Sequence, residues 1–239
     1  MSTVLRYPAG WRAEPSALSV DEEWFVLEGT LTVGAVTYGK HDYAHLPAGY
    51  ARAAMGSPVG AVVLTFFSAA VELCAPFIYE PSRLVERLDT RGMAGQTGKR
   101  AHMNSGEWDP SGTLHKTLFV DPANGDRTWL IGLMPTWSSA KTETHPVVEE
   151  EFAILGDICF PMGVMQAGGY FWRPPGIEHG PFATWGGTLH LCRAKGGAFA
   201  TVWGQSDGPV WTPAFNPILP PAYRRMLDAA GPTDREPNH

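Results

Sequence analysis

The sequence predicts an all-β protein of the sandwich or barrel class, and three observations predict it. Glycines (27) and prolines (21) punctuate the chain from end to end. Between them lie short runs rich in β-branched and aromatic residues, each of strand length and bounded by turn residues. The third observation is an internal repeat. Laying EEWFVLEG from Glu22 over EEEFAILG from Glu149 gives an offset of 127 residues (149 minus 22) that holds without a gap. In that register Gly29 falls on Gly156, Tyr43 on Tyr170, Pro47 on Pro174, Gly49 on Gly176, Gly60 on Gly187 and Leu64 on Leu191. Turn residues that keep one register with a strand-leading glutamate pair mark two copies of one β unit.

The elements follow in order. Strand signals run through EEWFVLEGTLTVGAVTY (22–38) and GAVVLTFFSAAVEL (60–73), then through HKTLFVD (115–121) and TWLIGLMPTW (128–137). DPANGDR between the last two reads as a hairpin turn, because Asn124-Gly125 tolerates positive φ. EEFAILGDICF (150–160), GGYFWRP (168–174) and TLHLCRA (188–194) complete the set. Helical periodicity is credible in two places. PSRLVERLDTRG (81–92) has Ser82 as a cap and Gly92 as a stop, and PPAYRRMLDAAG (220–231) starts at proline and ends at glycine. The tail GPTDREPNH is polar and expected to be disordered. These signals divide the chain into a first β unit over 1–80, a polar connector over 81–113, a second β unit over 114–215, and a short helix with a tail over 216–239.

Composition limits the function classes. A formal net charge of −6 with no lysine or arginine block argues against nucleic acid or an anionic membrane as partner, since both reward clustered cations. Cys74, Cys159 and Cys192 are scattered and odd in number, which suits a reducing compartment. No apolar leader or membrane-length run stands in the sequence, so a soluble cytoplasmic protein is expected. A small molecule is the expected partner, and the composition leaves a homodimer open.

The residues resemble the cupin superfamily. HPVVEEEFAILG is similar to the second half of the first cupin motif, through His145, Glu149 and Gly156, and GGYFWRPPGIEH resembles the second, through Gly169, Pro174, Gly176 and His179. The first repeat matches the same scaffold through EEWFVLEG and HLPAGYAR. The resemblance covers most of the chain and implies a bicupin, similar to uncharacterised bacterial bicupins: two double-stranded β-helix jelly-roll barrels in one polypeptide, with a short C-terminal helix. It identifies the fold well and the reaction poorly, because one barrel hosts many chemistries.

The resemblance also implies a metal site. Two imidazoles and a carboxylate form the facial set associated with non-haem Fe(II), with Zn, Mn and Ni as further candidates. The expected ligands are His145, Glu149 and His179. Glu150 is the fallback for Glu149, because a four-residue gap from His145 also satisfies the motif, and Glu151 reads as a solvated edge charge. The chain departs from the pattern two residues before His145, where the motif's histidine is replaced by Glu143. Glu143 either supplies a second carboxylate, favouring harder cations, or points away. The first repeat is the control: Ser16, Leu18 and Arg52 stand where the second has Glu143, His145 and His179, and only Glu22 survives. The N-terminal unit therefore lacks the metal ligands, with Glu22 and Arg52 candidates for pairing across the old pocket.

Other residues carry weaker expectations. His190 is a minor candidate for a catalytic base, set against a core histidine satisfied by hydrogen bonds. Trp172 and Tyr170 are minor candidates for lining a substrate pocket, set against ordinary core aromatics. His41 and His45 read as surface or turn histidines, His115 and Lys116 have no assigned role, and His102 lies in a solvated connector. The expected function is a metal-dependent enzyme, foremost a non-haem Fe(II) dioxygenase acting on a small bidentate oxygenated substrate such as a diketone, enol or hydroxyketone. The alternatives are a non-redox isomerase, lyase or hydrolase using the same residues, or a non-catalytic cupin that binds metal or a small ligand.

Overall fold

The computed structural model describes residues 1–96 and 112–209. Its strands fall into two runs. The first holds β1 (Ser2–Tyr7), β2 (Trp11–Ala13), β3 (Ala17–Leu18), β4 (Glu22–Gly29), β5 (Leu31–Val33), β6 (Val36–Tyr38), β7 (Asp42–Leu46), β8 (Met55–Ser57), β9 (Ala61–Phe67), β10 (Leu73–Cys74) and β11 (Val85–Asp89). The second holds β12 (Thr113–Val120), β13 (Arg127–Leu133), β14 (Ser138–Ser139), β15 (Glu143–Thr144), β16 (Val148–Phe160), β17 (Gly163–Gln166), β18 (Tyr170–Arg173), β19 (Phe182–Ala183), β20 (Thr188–Lys195) and β21 (Val202–Trp203). Among the described residues there is no α-helix, and none of the elements is long and apolar enough to cross a membrane as a helix.

Every named strand pairs within its own half. The first half builds a five-stranded sheet in the order β1-β9-β4-β7-β11, a four-stranded sheet in the order β2-β8-β5-β6, and the pair β10-β3. The second builds the path β12-β13-β20-β16-β19-β14, with β17 and β18 also paired to β16, and the pair β15-β21. The residues 121–126 close the β12–β13 hairpin through Gly125 at a φ of 81°.

The 127-residue register holds in three dimensions. β4 sits between β7 and β9, and β16 between β18 and β20. The β4–β9 ladder bulges between Val26 and Glu28, and the β16–β20 ladder at the matching Ala153 and Leu155. A Cβ on Gly29 would overlap the carbonyl of Gly60, and one on Gly156 that of Gly187, so both strand ends require glycine for close backbone approach. Even the isolated bridges match: Ser16 with Arg52, and Glu143 with His179.

The helix expected over 81–92 does not form. A single 3-10 turn, Pro81–Arg83, leads into β11, which adds an edge strand to β7. Tertiary contacts outweigh the helical spacing. Leu84 packs on the core inside the first half, while Val85 and Leu88 turn to a second core, and Arg87 pairs with buried Asp42 at 2.9 Å. His45 is likewise no surface residue: it is buried, stacked on Phe119 at 3.7 Å, with Nδ1 2.6 Å from the Arg83 carbonyl. The helix expected over 220–231, the polar tail and His102 lie outside the described residues.

That second core joins the halves. Phe25, Tyr43, Leu64 and Phe66 of the first pack with Leu118, Phe119, Leu130, Phe152 and Leu191 of the second. A buried polar network crosses the same contact. The Arg193 guanidinium donates to Glu23 at 2.7 Å, pairs closely with Glu150, and lies 4.1 Å over the Phe66 ring. Tyr43 and Thr128 donate to the other Glu23 oxygen at 2.7 and 2.5 Å, and Ser2 and Tyr170 donate to Glu150 at 2.5 and 2.8 Å. Burial alone would push the Glu23 carboxyl up, but the charges of Arg193 and Lys195 and the Arg193 hydrogen bonds hold it far below the ordinary carboxylate range.

A depressed carboxylate stabilises the fold above its unfolded-state value and loses that contribution as pH falls through the folded-state value. Glu23→Gln should therefore cost about 3 kcal/mol in denaturant unfolding at pH 7, the scale for breaking a buried ion pair. The gap between variant and parent should stay constant down to the ordinary glutamate value of 4.5 and shrink in more acidic solution.

Candidate metal centre

Four side chains converge at one end of the second half. Strand alternation explains how. In β16, Glu149 and Glu151 face one way and Glu150 the other. On that inner face Glu149 stands opposite Arg173 of β18, while the lead-in segment before β16 brings in His145. β15 carries Glu143, and the bridge between Glu143 and His179 holds His179 beside it. The turn Pro174-Pro175-Gly176 that leads to His179 is tied back by Gly176 N donating to the His145 carbonyl at 2.8 Å.

The donor atoms enclose one small volume. Glu143, His145 and His179 each present a ligand atom, all within 4.8 Å of one another. His179 Nε2 lies 3.5 Å from Glu143 Oε1 and 3.4 Å from Glu149 Oε2, and His145 Nε2 lies 3.9 and 3.6 Å from the same two residues' Oε1 atoms. Donors about 2.1 Å from a shared cation, at angles of roughly 90 to 110°, lie about 3.0 to 3.5 Å apart, so this set, with contacts of 3.4 to 3.9 Å and a spread of up to 4.8 Å, would draw inward on binding one. The Nδ1 atoms face carbonyl oxygens, His145 toward Ala200 at 3.0 Å and His179 toward Ile177 at 2.9 Å. That arrangement fixes the tautomer with hydrogen on Nδ1 and turns the Nε2 lone pairs inward, the usual outer support of a metal-binding imidazole. His145 Nε2 and Glu149 Oε2 are buried without a hydrogen-bond partner. Two acceptors left without donors in a buried pocket are a fit for a divalent cation.

The electrostatics agree. Burial would lower the His179 imidazole, but Glu143 and Glu149 outweigh it and push it up to about 9. Burial would raise the Glu149 carboxyl, yet His179, His145 and Arg173 together bring it below its ordinary value. The walls are apolar and aromatic: Phe199 lies 4.4 Å from the His145 ring and Phe182 5.7 Å from the His179 ring, above a core that includes Phe160 and Phe182.

The remaining candidates fall elsewhere. Glu150 points to the opposite face and belongs to Arg193, so it is no substitute for Glu149. Glu151 is not a solvated edge charge, because it pairs with buried His190. Thr188 donates to the Leu155 carbonyl at 2.9 Å, so its oxygen accepts from His190 Nε2, and neither ring nitrogen of His190 is left to serve a substrate. Tyr170 and Trp172 are a correction too. They are 45% and 56% exposed on the outer face of β18, and it is Phe171 and Arg173 that share the face of Glu149 and Glu151. Arg173 had no signal in its residue type. The available signal was the register, since it lies six residues before His179 and directly opposite Glu149.

The first half answers its own question. Arg52 occupies the position of His179 and donates to Glu22 at 2.6 Å, both side chains buried. Burial raises the Glu22 carboxyl, with the Arg52 charge working against it. A guanidinium stands there in place of a metal ligand.

In chelator-treated protein the His179 ring should titrate near pH 9 by NMR, well above the ordinary histidine value of 6.5. A raised folded-state value stabilises below the unfolded value, so that contribution is complete below about 6.5 and is lost as pH rises through about 9. His179→Asn should flatten the decline in unfolding free energy over that window.

No curated protein matches the chain. Solved structures do. One, from Nostoc punctiforme PCC 73102 and described as "a putative dioxygenase", is 19% identical with a TM-score of 0.72, over 85% of this chain and 73% of that one. An oxalate decarboxylase from Bacillus subtilis, in a study of its Mn(II) centres, is 14% identical with a TM-score of 0.56, over 84% and 70%. A cupin 2 conserved barrel domain protein from Leptotrichia buccalis is 9% identical with a TM-score of 0.52, over 82% and 83%. At these identities the likeness shows a shared fold, that of the cupins. The family model that matches, over residues 2–201, is a domain of unknown function, DUF4437, and the chain belongs to that family.

Proposed function

We propose that the protein is a metal-dependent enzyme built as a bicupin, and foremost a non-haem Fe(II) dioxygenase acting on a small bidentate oxygenated substrate such as a diketone, enol or hydroxyketone. The single observation that carries the metal reading is the pair of buried, unpartnered acceptors, His145 Nε2 and Glu149 Oε2, facing Glu143 and His179. The matched ladders, bulges and glycines of the two strand sets support two barrels, the first without the ligand set and the second with it. The Nostoc punctiforme neighbour supports the dioxygenase class.

In this reading His145, His179, Glu149 and Glu143 hold the cation, which when bound supplies Lewis acidity and, as Fe(II), the redox capacity for O2 chemistry. The chain's own groups do the rest. The Ala200 and Ile177 carbonyls keep the imidazoles oriented, Arg173 steadies Glu149, and the phenylalanine walls keep the pocket poor in water, where polar interactions are stronger. Glu143 favours a second reading, a non-redox isomerase, lyase or hydrolase. A second carboxylate makes the set harder and more oxygen-rich, which suits Mn(II), the metal of the oxalate decarboxylase centres.

Elemental analysis of purified protein should find about one cation per chain, and His179→Ala should lose it. Retention of stoichiometric metal in that variant would overturn the site. Fe(II)-loaded protein should consume O2 with a member of a panel of diketones and catechols. Stoichiometric iron without O2 uptake or product from any of them would rule out the dioxygenase, and product formation under anaerobic conditions would favour the second reading.

A further inference from the structure

Three arginines are buried among the described residues, and two of them are paired with carboxylates. Arg52 donates to Glu22, and Arg193 lies between Glu23 and Glu150. Arg127, at the start of β13 and 5% exposed, has no such partner among the described residues. Its Nη2 donates to the Thr117 hydroxyl at 2.9 Å, while its Nε is buried without a hydrogen-bond partner. The guanidinium lies 5.0 Å from the centre of the Trp129 ring. The adjacent Asp126 is turned away from it, accepting from the Gly196 and Gly197 amides and lying 3.6 Å from Lys195. Burial pulls the Arg127 guanidinium below its ordinary value, and only the Cys192 sulfur works against that.

The strand register places this cation on the inner wall of the second half. Thr128 and Leu130 face the contact between the halves, where Thr128 donates to Glu23 and Leu130 joins the shared core. Alternation along β13 therefore turns Arg127, Trp129 and Ile131 inward, and Trp129 and Ile131 pack there with Val147, Cys192 and Ala194. Arg127 stands opposite Ala194 of β20, and Ala194 stands opposite Glu149 of β16. Two strand spacings, about 10 Å, thus separate Arg127 from Glu149 along one row of one wall. Phe199 packs between Trp129 and His145, 4.8 and 4.4 Å from their rings.

A hydroxyl and a ring face solvate a guanidinium in part, but neither cancels its charge. A buried charge without a counter-ion lowers stability, and a protein that keeps one holds a position shaped for an anion from outside. One planar fork beside one hydroxyl matches the two oxygens of a monoanion, and a carboxylate has the geometry that a guanidinium binds best.

We infer that the inner wall of the second half holds a carboxylate-binding position at Arg127, which takes the acid group of a small organic ligand. The position rests on Arg127 and its surroundings and is independent of the metal reading.

The test titrates full-length protein with acetate and with acetamide at constant ionic strength, by calorimetry, as purified and after chelator treatment. The parent should bind acetate about tenfold or more tighter than acetamide in both forms. Arg127→Met should lose that preference. With no carboxylate present, the same variant should melt about 2 to 4 °C above the parent, because it lacks the unmatched charge. Acetate should narrow that gap by raising the parent alone. Equal binding of acetate and acetamide by the parent would overturn the inference, and so would a preference that survives in Arg127→Met. A preference that vanishes on chelation would overturn it too, placing the carboxylate on a metal and leaving the metal reading standing. A variant that melts below the parent, or does not fold, would show a guanidinium held for Thr117 and Trp129 alone and would overturn it equally.

Discussion

Arg193 clamped between Glu23 and Glu150 is the constraint from which the site follows. The two carboxylates occupy matching positions of the repeat, one from each half, and share a single buried guanidinium at the contact between them. Neither β4 nor β16 can slip by one residue without breaking that clamp, because a one-residue shift sends every side chain to the opposite face. With Glu23 and Glu150 committed to the contact, their predecessors Glu22 and Glu149 must face the interior of their own halves. A pair of consecutive glutamates thus serves two purposes in each half, one residue for assembly and one for the pocket.

The inner glutamates then diverge by their partners. In the first half the position opposite the turn is Arg52, and the carboxylate is neutralised within the protein. In the second it is His179, joined by His145 and Glu143, and the carboxylate is left with an oxygen that no donor satisfies. The difference lies in three or four side chains on one backbone scaffold. Ladders, bulges and close glycine contacts are retained where the chemistry is not.

Much of this was legible in the sequence. The repeat and the hairpin at Asn124-Gly125 rest on local spacing, which a strand's fixed two-residue period carries into space, while His145, Glu149 and His179 are grouped by the resemblance of two motifs that leaves Glu143 open. What was not legible depended on distant partners. Glu151 reads as an edge charge until His190, 39 residues on, is seen beside it, and Glu150 becomes distinct from Glu149 only through Arg193. Residues 81–92 carry a fair helical pattern, yet Val85 and Leu88 find their apolar surroundings across the boundary between halves, which no local pattern records. Trp172 and Arg173 differ by one position and so by one face. The aromatic residue drew notice, while the register gave the pocket to the arginine.

The core cluster shared by β4, β7 and β9 with β12, β13, β16 and β20 bears on how the chain comes apart. Among the described residues, Phe25, Tyr43, Leu64 and Phe66 pack in one cluster with Leu118, Phe119, Leu130 and Leu191. Separation would wet both faces at once, at about 25 cal/mol for each Å² of apolar surface exposed. Strand pairing is confined to the halves, but cooperativity is not. The two strand sets should therefore melt together, and a half expressed by itself would carry the exposed face of a torn interior rather than the surface of a domain.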